Sequence, residues 1–422
     1  MSVTVAPADE LDVRSGTSVW QRKRRPALHG ARLQRGCTTD VLVVGAGISG
    51  ALVAESLADA GLRVMIVDKG RPLAGSTTAS TALLQYELDV PLSQLIRRVG
   101  RLDAQRLWRR SRLALDALRQ RTRHLGIQAQ CEVRDSLYLQ GNRLDAGGLE
   151  AEACARRAVG FETRLFSRRE VSRRYGIIGR AGLLSFGNLA VDPRCLAAGY
   201  LRRAQSLGAR LCWPARVISV ESGSRQVTVQ FEQGQVLKAR KVVFATGYDI
   251  PEHVPANGHS IASTWAMATR PQKGWPTRCL IWEASNPYLY MRMTAEGRVI
   301  CGGEDEDFQD ERHRDELLPR KIEAIRRKLH KLLPELDTRP EFAWAGSFGA
   351  SRTGAPTIGR VPRMPGCIAV MGYGGNGITF SMLAAQIVRG LVTGEEDADA
   401  DLFAFRTRLD NAIARETGTV GR

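Results

Sequence analysis

The chain has 422 residues, a formal net charge of +17 and 43 % hydrophobic residues. That composition excludes a disordered or fibrous chain, and the length allows two or three domains. The excess charge is nearly all Arg and is spread along the whole chain, which points to a solvated basic surface; contact with nucleic acid or an anionic membrane surface is the alternative.

In chain order, residues 1–37 are polar and basic and read as an extended arm laid over the surface. They lack the apolar core of a signal peptide, and no stretch reaches the roughly 18 apolar residues of a membrane helix, so a cytoplasmic protein is expected. The run Asp40-Val41-Leu42-Val43-Val44-Gly45-Ala46-Gly47-Ile48-Ser49-Gly50 then predicts a buried parallel strand, a glycine turn and a helix. Gly45 permits the sharp turn, Gly47 a close approach to a pyrophosphate, and Gly50 tight helix–strand packing. A second strand, 64–67, ends at Asp68, about 20 residues beyond the glycines, where a carboxylate can hold ribose hydroxyls. Strand, turn, helix, strand and acid in this order indicate a dinucleotide site.

A small-residue loop, 75–82, follows, and then a long helical region, 91–126, whose Leu102, Trp108, Leu113, Leu115 and Leu118 form an apolar stripe. Asp192 and Pro193 open another helix as N-cap and first-turn residue. Strands are expected at 210–213, 217–221, 226–231 and 241–247, and through most of 263–303. Residues 311–333 read as a charged helix, 367–371 as a strand, 372–377 as a glycine turn and 378–392 as an apolar helix. The cysteines (Cys37, Cys131, Cys154, Cys195, Cys212, Cys279, Cys301 and Cys367) form no C-x-x-C pair and do not cluster with His, so reduced thiols and no metal site are expected.

The loop after the second strand separates a nicotinamide from a flavin. Its hydroxyls suit a flavin domain, which wraps such a loop round the pyrophosphate and beside the isoalloxazine ring. Ala245-Thr246-Gly247 at a strand end likewise lets backbone pass close to a cofactor.

Together, the fingerprint at 45–50, the loop 75–81, Val-Asp-Pro at 191–193, Ala-Thr-Gly at 245–247 and the turn 372–377 resemble the D-amino-acid oxidase-like superfamily of FAD-dependent oxidoreductases, over roughly residues 38–395. Ser-Thr-Thr-Ala-Ser-Thr and Gly-Tyr-Gly-Gly-Asn-Gly look most like the γ-glutamylputrescine oxidase-like bacterial branch. The resemblance implies α/β plus α+β architecture: a discontinuous Rossmann-type FAD-binding domain (38–88, 148–250, 343–395) and an inserted substrate domain with a mostly antiparallel sheet (89–147, 251–342), followed by a tail (396–422). It implies FAD contacts from Gly45, Ala46, Gly47, Ile48, Ser49 and Gly50; from Asp68 and Lys69; and from Ser76, Thr77, Thr78, Ala79, Ser80 and Thr81. Further contacts are implied for Val217, for Ala245, Thr246 and Gly247, and for Gly372, Gly374, Gly375, Asn376, Gly377 and Ile378. The last group is formally a second G-x-G-x-x-G. No second strand with a terminal acid follows it, which favours a helix N-terminus aimed at the flavin pyrimidine over a nicotinamide site.

The family reaction is hydride removal from a carbon beside an amine nitrogen onto flavin N5, followed by imine hydrolysis. Glycine oxidase-like members clamp the substrate carboxylate with an Arg at the position of Phe348, and a phenyl ring cannot replace it. The same segment, 346–359, has no Cys for a covalent link, so non-covalent FAD is expected. Tyr288, Tyr290 and Arg292 alternate onto one face; with Trp282, Phe348 and Tyr373 they would line a pocket for a secondary amine or polyamine derivative, Arg292 alternatively holding a carboxylate. The plainer reading makes these aromatics sheet core and Arg292 a surface ion pair. The acidic run 303–307 would attract a cationic amine or form a solvated loop, and Lys273 would promote reaction with oxygen. A flavin dehydrogenase serving a quinone or protein acceptor, or a basic flavoprotein with a mainly binding role, is the rival to an oxidase.

Overall fold

The computed structural model describes residues 2–4 (backbone), 13–22, 26–256, 258–275, 277–351, 353–395 and 397–405. Most of the expected tail, and Lys23 to Arg25 of the basic arm, lie outside these.

Two sheets organise the chain. The first, of nine strands, has a parallel centre in which Val236–Phe244, Cys37–Val44, Val64–Val67 and Arg210–Cys212 run side by side, with Cys367–Met371 parallel to the end of Val236–Phe244. Val41, Leu42, Val43, Ile66 and Val67 have no exposed surface, as strands covered on both faces require. The helix Ile48–Asp59 lies on this sheet and packs against both Pro193–Ser206 and Gly377–Thr393. Asp192 caps the second of them, accepting from the Arg194 and Cys195 N–H groups, with Pro193 in its first turn.

The second sheet has ten strands. Its centre is antiparallel, Pro340–Ser351 beside His259–Pro271, then Arg298–Glu306 and Leu289–Met293; Leu280–Glu283 joins Glu132–Leu139 in parallel. This is the discontinuous Rossmann-type domain with a second, largely antiparallel sheet. Several strands cross the expected boundaries. Thr163–Phe166, Gly182–Ala190 and Pro340–Ser351 hydrogen-bond into the second sheet, although their segments were expected in the nucleotide domain. Their local patterns fit either sheet; the partner strand decides, and it lies far away in sequence.

The N-terminal arm also departs from a loose surface strap. Arg14–Thr17 adds an antiparallel edge strand to Pro340–Ser351, and Trp20 is 4 % exposed. The helical region 91–126 breaks at Gly100 (φ 83°) into Leu92–Val99 and Arg101–His124. Residues 311–333 likewise form two helices, Glu311–Glu316 and Leu318–Leu332. No helix among the described residues is long and apolar enough to cross a membrane.

Arg292 lies between the sheets, 4 % exposed. Its Nε donates to the Thr81 carbonyl (2.8 Å) and one terminal nitrogen to the Val191 carbonyl (2.7 Å), and its guanidinium sits 5.1 Å from the Trp20 ring centroid. Burial pushes its pKa down to about 9, which leaves it charged at neutral pH. Arg292→Leu should lower stability by about 2–4 kcal/mol, because two buried carbonyls lose their donors. Urea unfolding followed by circular dichroism measures this; an unchanged midpoint would contradict the assignment.

Candidate cofactor and substrate site

The strand Cys37–Val44 runs into Gly45, whose φ of +108° only glycine adopts readily. A Cβ there would stand 2.3 Å from the Ala245 carbonyl oxygen, and one on Gly50 would stand 1.9 Å from the Gly45 oxygen. Gly47 has no such crowding on the protein side: its added Cβ would meet only the Thr77 hydroxyl, at 3.2 Å. The helix Ile48–Asp59 begins without a cap from its N-cap residue, Gly47, and its start lines a cavity of about 940 Å³, near the top of the usual range for ligand sites; of its first N–H groups, that of Ile48 is taken by Thr77 Oγ1.

Asp68 stands at the rim. Its carboxylate accepts from the Ala46 N–H (2.7 Å) and the Gly70 N–H (2.9 Å). Burial pushes its pKa up against the pull of those two donors. Its remaining lone pairs can accept ribose hydroxyls. Lys69, ion-paired to Asp249 at 2.9 Å, lies beside it on the cavity wall with Val217, Ala245, Thr246 and Gly247.

The hydroxyl loop contains one helical turn, Ser76–Ala79, and is fixed from every side. Thr77 Oγ1 accepts from the Ile48 N–H (3.0 Å), Thr78 Oγ1 donates to the Leu73 carbonyl, and Trp20 and Trp344 donate to the carbonyls of Ser80 and Ala79 (2.7 and 2.8 Å). Gly45, Gly47, Ile48, Ser49, Ser76, Thr77, Ala79, Ser80 and Thr81 line the cavity, as do Gly374, Gly375, Asn376, Gly377 and Ile378. Four residues expected to touch the cofactor do not line it. Ala46 holds Asp68 through its N–H, Gly50 seats the helix on Gly45, Thr78 braces the loop, and Gly372 makes room for the His259 ring.

The far end of the cavity is aromatic. Tyr288, Tyr290, Trp282, Trp344 and Phe348 line it, and the two tyrosine rings lie 5.7 Å apart. Tyr373 lines the wall nearer the fingerprint, its hydroxyl interacting with Ser49. Arg292 shares the strand face of Tyr290 but is spent on the carbonyls and Trp20, so it neither clamps a substrate nor forms a surface ion pair. Lys273 is exposed and outside the cavity wall, which removes the role in oxygen reactivity. The acidic run is no solvated loop: it ends the strand Arg298–Glu306, with Glu306 bonded to Lys321 (2.5 Å) and Glu304 to Lys328. No cluster of metal-binding side chains occurs among the described residues.

Among the wall residues that were not anticipated are Gln85, Glu87 and Asp89. They alternate with Leu84, Tyr86 and Leu88, each 1 % exposed, so a period-two pattern was present in the sequence. Glu87 belongs to a buried cluster. Arg156 Nε bonds Glu152 at 2.7 Å, and Glu152 also accepts from the Leu92 and Ser93 N–H groups. Burial works against Glu152 ionising, but Arg156 and Ser93 outweigh it and lower its pKa. Glu87 is served less well: Arg156 comes only within 3.8 Å, Asn188 Nδ2 within 3.4 Å, and one of its oxygens has no partner. Burial therefore raises its pKa, with Arg156 countering only in part.

A glycine cradle, a helix start opening onto the cavity, an acid at the second strand end and a cavity roofed by aromatics define a dinucleotide-binding flavoprotein oxidoreductase. The FAD dependent oxidoreductase (DAO) family model matches residues 40–391, and the chain belongs to that family. It is 22 % identical over 376 residues to the probable oxidoreductase OrdL of Haemophilus influenzae, covering 85 % of this chain and 84 % of that one. It is 24 % identical over 381 residues to the gamma-glutamylputrescine oxidoreductase of Escherichia coli, covering 86 % of each. The crystal structure of glycine oxidase from Geobacillus kaustophilus has the same fold, with a TM-score of 0.73 and 20 % identity over 88 % of this chain and 99 % of that one.

Two outcomes follow for this site. Gly47→Val should leave a folded protein that retains little FAD, since the added methyls would project into the cradle and not into packed core; the ratio of flavin to protein absorbance after gel filtration checks it. Glu87→Gln should stabilise the cofactor-free fold, and more so as pH rises. A carboxyl whose folded pKa exceeds its ordinary 4.5 costs stability progressively above that pH, and Gln removes the cost. The stabilities of wild type and variant at pH 5 and pH 8 test the sign; a larger gain at pH 5 would refute it.

Proposed function

We propose that the protein oxidises the C–N bond of an amine, with FAD as hydride acceptor. The supporting observation is the chemistry of the cavity wall. Among its described lining residues the cationic side chains Lys69, Arg71 and Arg216, with His253, come from segments beside Asp68 and Val217, while the Tyr288–Tyr290 end carries none. Phe348 lines that end where related α-amino-acid oxidases are expected to present Arg.

The residues present fit FAD, because the cradle at Gly47 and the cavity beside it leave room that a side chain would fill. Gly47 and the Ser49 amide would hold the pyrophosphate, Asp68 the ribose, Val217 the adenine side, and Thr77 to Thr81 the approach to the ring. No Cys lines the cavity, in keeping with non-covalent binding. Bound FAD supplies a two-electron acceptor for the hydride on the carbon beside nitrogen. The chain's own part is to orient the amine against that acceptor and to exclude water with Tyr288, Tyr290, Trp282 and Phe348. The substrate leaves as an imine, which takes up water to give a carbonyl compound and a free amine. The electrons pass to O2 or another acceptor.

Anaerobic visible spectra of the holoprotein with amines and amino acids test this. Bleaching by an amine is expected. Bleaching by α-amino acids alone, or by no compound, would overturn it; readmitted air then separates an oxidase from a dehydrogenase.

A further inference from the structure

The segment after the hydroxyl loop carries Gln85, Glu87 and Asp89 along the cavity wall. Three contacts pin it to the C-terminal glycine turn and the helix beyond: Thr379 Oγ1 donates to the Gln85 carbonyl (3.0 Å), Asn376 Nδ2 to the Glu87 carbonyl (2.7 Å), and the Gly375 N–H to the Asp89 carboxylate (2.9 Å). Gly374 and Gly375 make the seat for that carboxylate, since a Cβ on either would stand 2.6 or 2.9 Å from its oxygens. Asp89 opens onto the cavity but is ringed by protein. Glu87, 2 % exposed, also lines the cavity, with one oxygen unpartnered and Arg156 closer to Glu152 (2.7 Å) than to it (3.8 Å).

Behind the wall, the roof sheet holds a third carboxylate. Between the pairs Ser263–Glu306 and Trp265–Gly303 the register slips, so that Glu304 and Asp305 oppose Thr264 alone. This bulge, with Gly303 and Glu304 both at positive φ, turns Asp305 inward. Its oxygens are shut from solvent beside the Thr264 and Tyr288 hydroxyls without settling into a regular hydrogen bond with either, and it feels the charge of Asp89. Tyr288, Tyr290 and Trp282 put aromatic rings on the same end of the cavity. Carboxylates beside aromatic faces, on a stretch of wall with no basic lining residue and with Arg156, Arg143 and Lys321 acting only from outside it, favour an ammonium group.

We propose that Glu87 and Asp89 form a cation subsite of the substrate cavity, and that the amine oxidised here carries a second, non-reacting ammonium group, as a linear diamine does. This rests on the reading of the protein as an amine oxidoreductase and names its substrate class. The reacting nitrogen has to be neutral when its neighbouring carbon gives up hydride, because loss of hydride beside an ammonium would create a dication. Carboxylates hold an ammonium in its protonated form, so they suit the remote nitrogen and not the reacting one.

Titration calorimetry of the FAD-loaded protein, with linear diaminoalkanes against n-alkylamines of equal length, tests the subsite. Diamines should bind at least about ten-fold more tightly, a difference of about 1.4 kcal/mol. Asp89→Asn and Glu87→Gln should each erase most of that preference by lowering diamine affinity more than alkylamine affinity. Asn keeps an acceptor for the Gly375 N–H, and Glu87→Gln relieves a buried charge, so both variants should fold; near-native circular dichroism confirms it. Equal affinity for the two series, no binding of either, or variants that retain the preference would overturn the subsite. If diamines bind tightly yet no amine bleaches the flavin, the subsite stands and the amine-oxidation reading falls. If alkylamines bleach it and bind as well as diamines, the reading stands and the subsite falls.

Discussion

Three backbone segments meet at Gly45 with no space for a side chain between them. The Ala245 carbonyl approaches from the neighbouring strand, and Gly50 rests on the carbonyl of Gly45 itself. This contact sets where the helix Ile48–Asp59 begins, and hence that its start opens onto the cavity. It also holds the end of Val236–Phe244 against Cys37–Val44, with the Ala245 N–H on the Val44 carbonyl at 2.8 Å. Asp68 depends on the same turn, because one of its two donors is the Ala46 N–H. Glycines here serve packing as well as approach. Gly50 and Gly372 are filled by protein neighbours, and Gly47 faces the open cradle.

The hydroxyl loop transmits that geometry to the second sheet. Its backbone carbonyls are taken in turn by donors from distant parts of the chain: Ala74 by Arg14, Ala79 by Trp344, Ser80 by Trp20 and Thr81 by Arg292. Each donor belongs to the second sheet or to the arm that extends its edge. The sheet that roofs the cavity thus also fixes the loop that lines it. A buried carbonyl needs a donor, and a long guanidinium that meets two of them is better used there than in the cavity. This explains why Arg292, read from strand alternation as a substrate contact, is a brace.

Features carried by contiguous residues were legible in the sequence. The strand–turn–helix at 40–50, the acid at 68, the hydroxyl loop and the apolar helix after the second glycine turn depend on local period and glycine placement, and all four elements lie where those patterns put them. Sheet membership was not legible, because Gly182–Ala190 and Pro340–Ser351 owe theirs to partners tens of residues away. The arm was misread for a related reason: four residues, Arg14–Thr17, show no strand pattern until an edge is available to pair with. At the far end of the cavity, alternation correctly grouped Tyr290 with Arg292 on one face. It could not show that this face changes its neighbours along its length, from cavity beside Tyr290 to protein beneath Arg292. The alternation in Leu84 to Asp89 was equally plain, but the segment stands between a two-residue strand and a helix, where no regular element drew attention to it.

The cavity is divided electrically. Its basic groups Lys69, Arg71 and Arg216 lie with the nucleotide-binding segments, beside Asp68, Glu232, Asp249 and Glu252, while the segment 87–89 brings two acids to a stretch of wall that has no basic lining residue. A single-sign surface would hold one kind of ligand well; this arrangement separates an anionic cofactor from a cationic substrate along one continuous space. The acids are also the part of the wall that folding alone would not favour. Arg156 balances one of two buried glutamates, and the second, Glu87, keeps an unpaired oxygen at a cost that an uncharged residue of the same shape would avoid. The Glu87 oxygen that Arg156 and Asn188 leave unpaired is satisfied only by a proton or by something that enters the cavity. Because the Glu87 backbone and the Asp89 carboxylate are tied to the turn 374–377, the energetic imbalance sits on a rigid segment, and what enters must bring its positive charge to a fixed place.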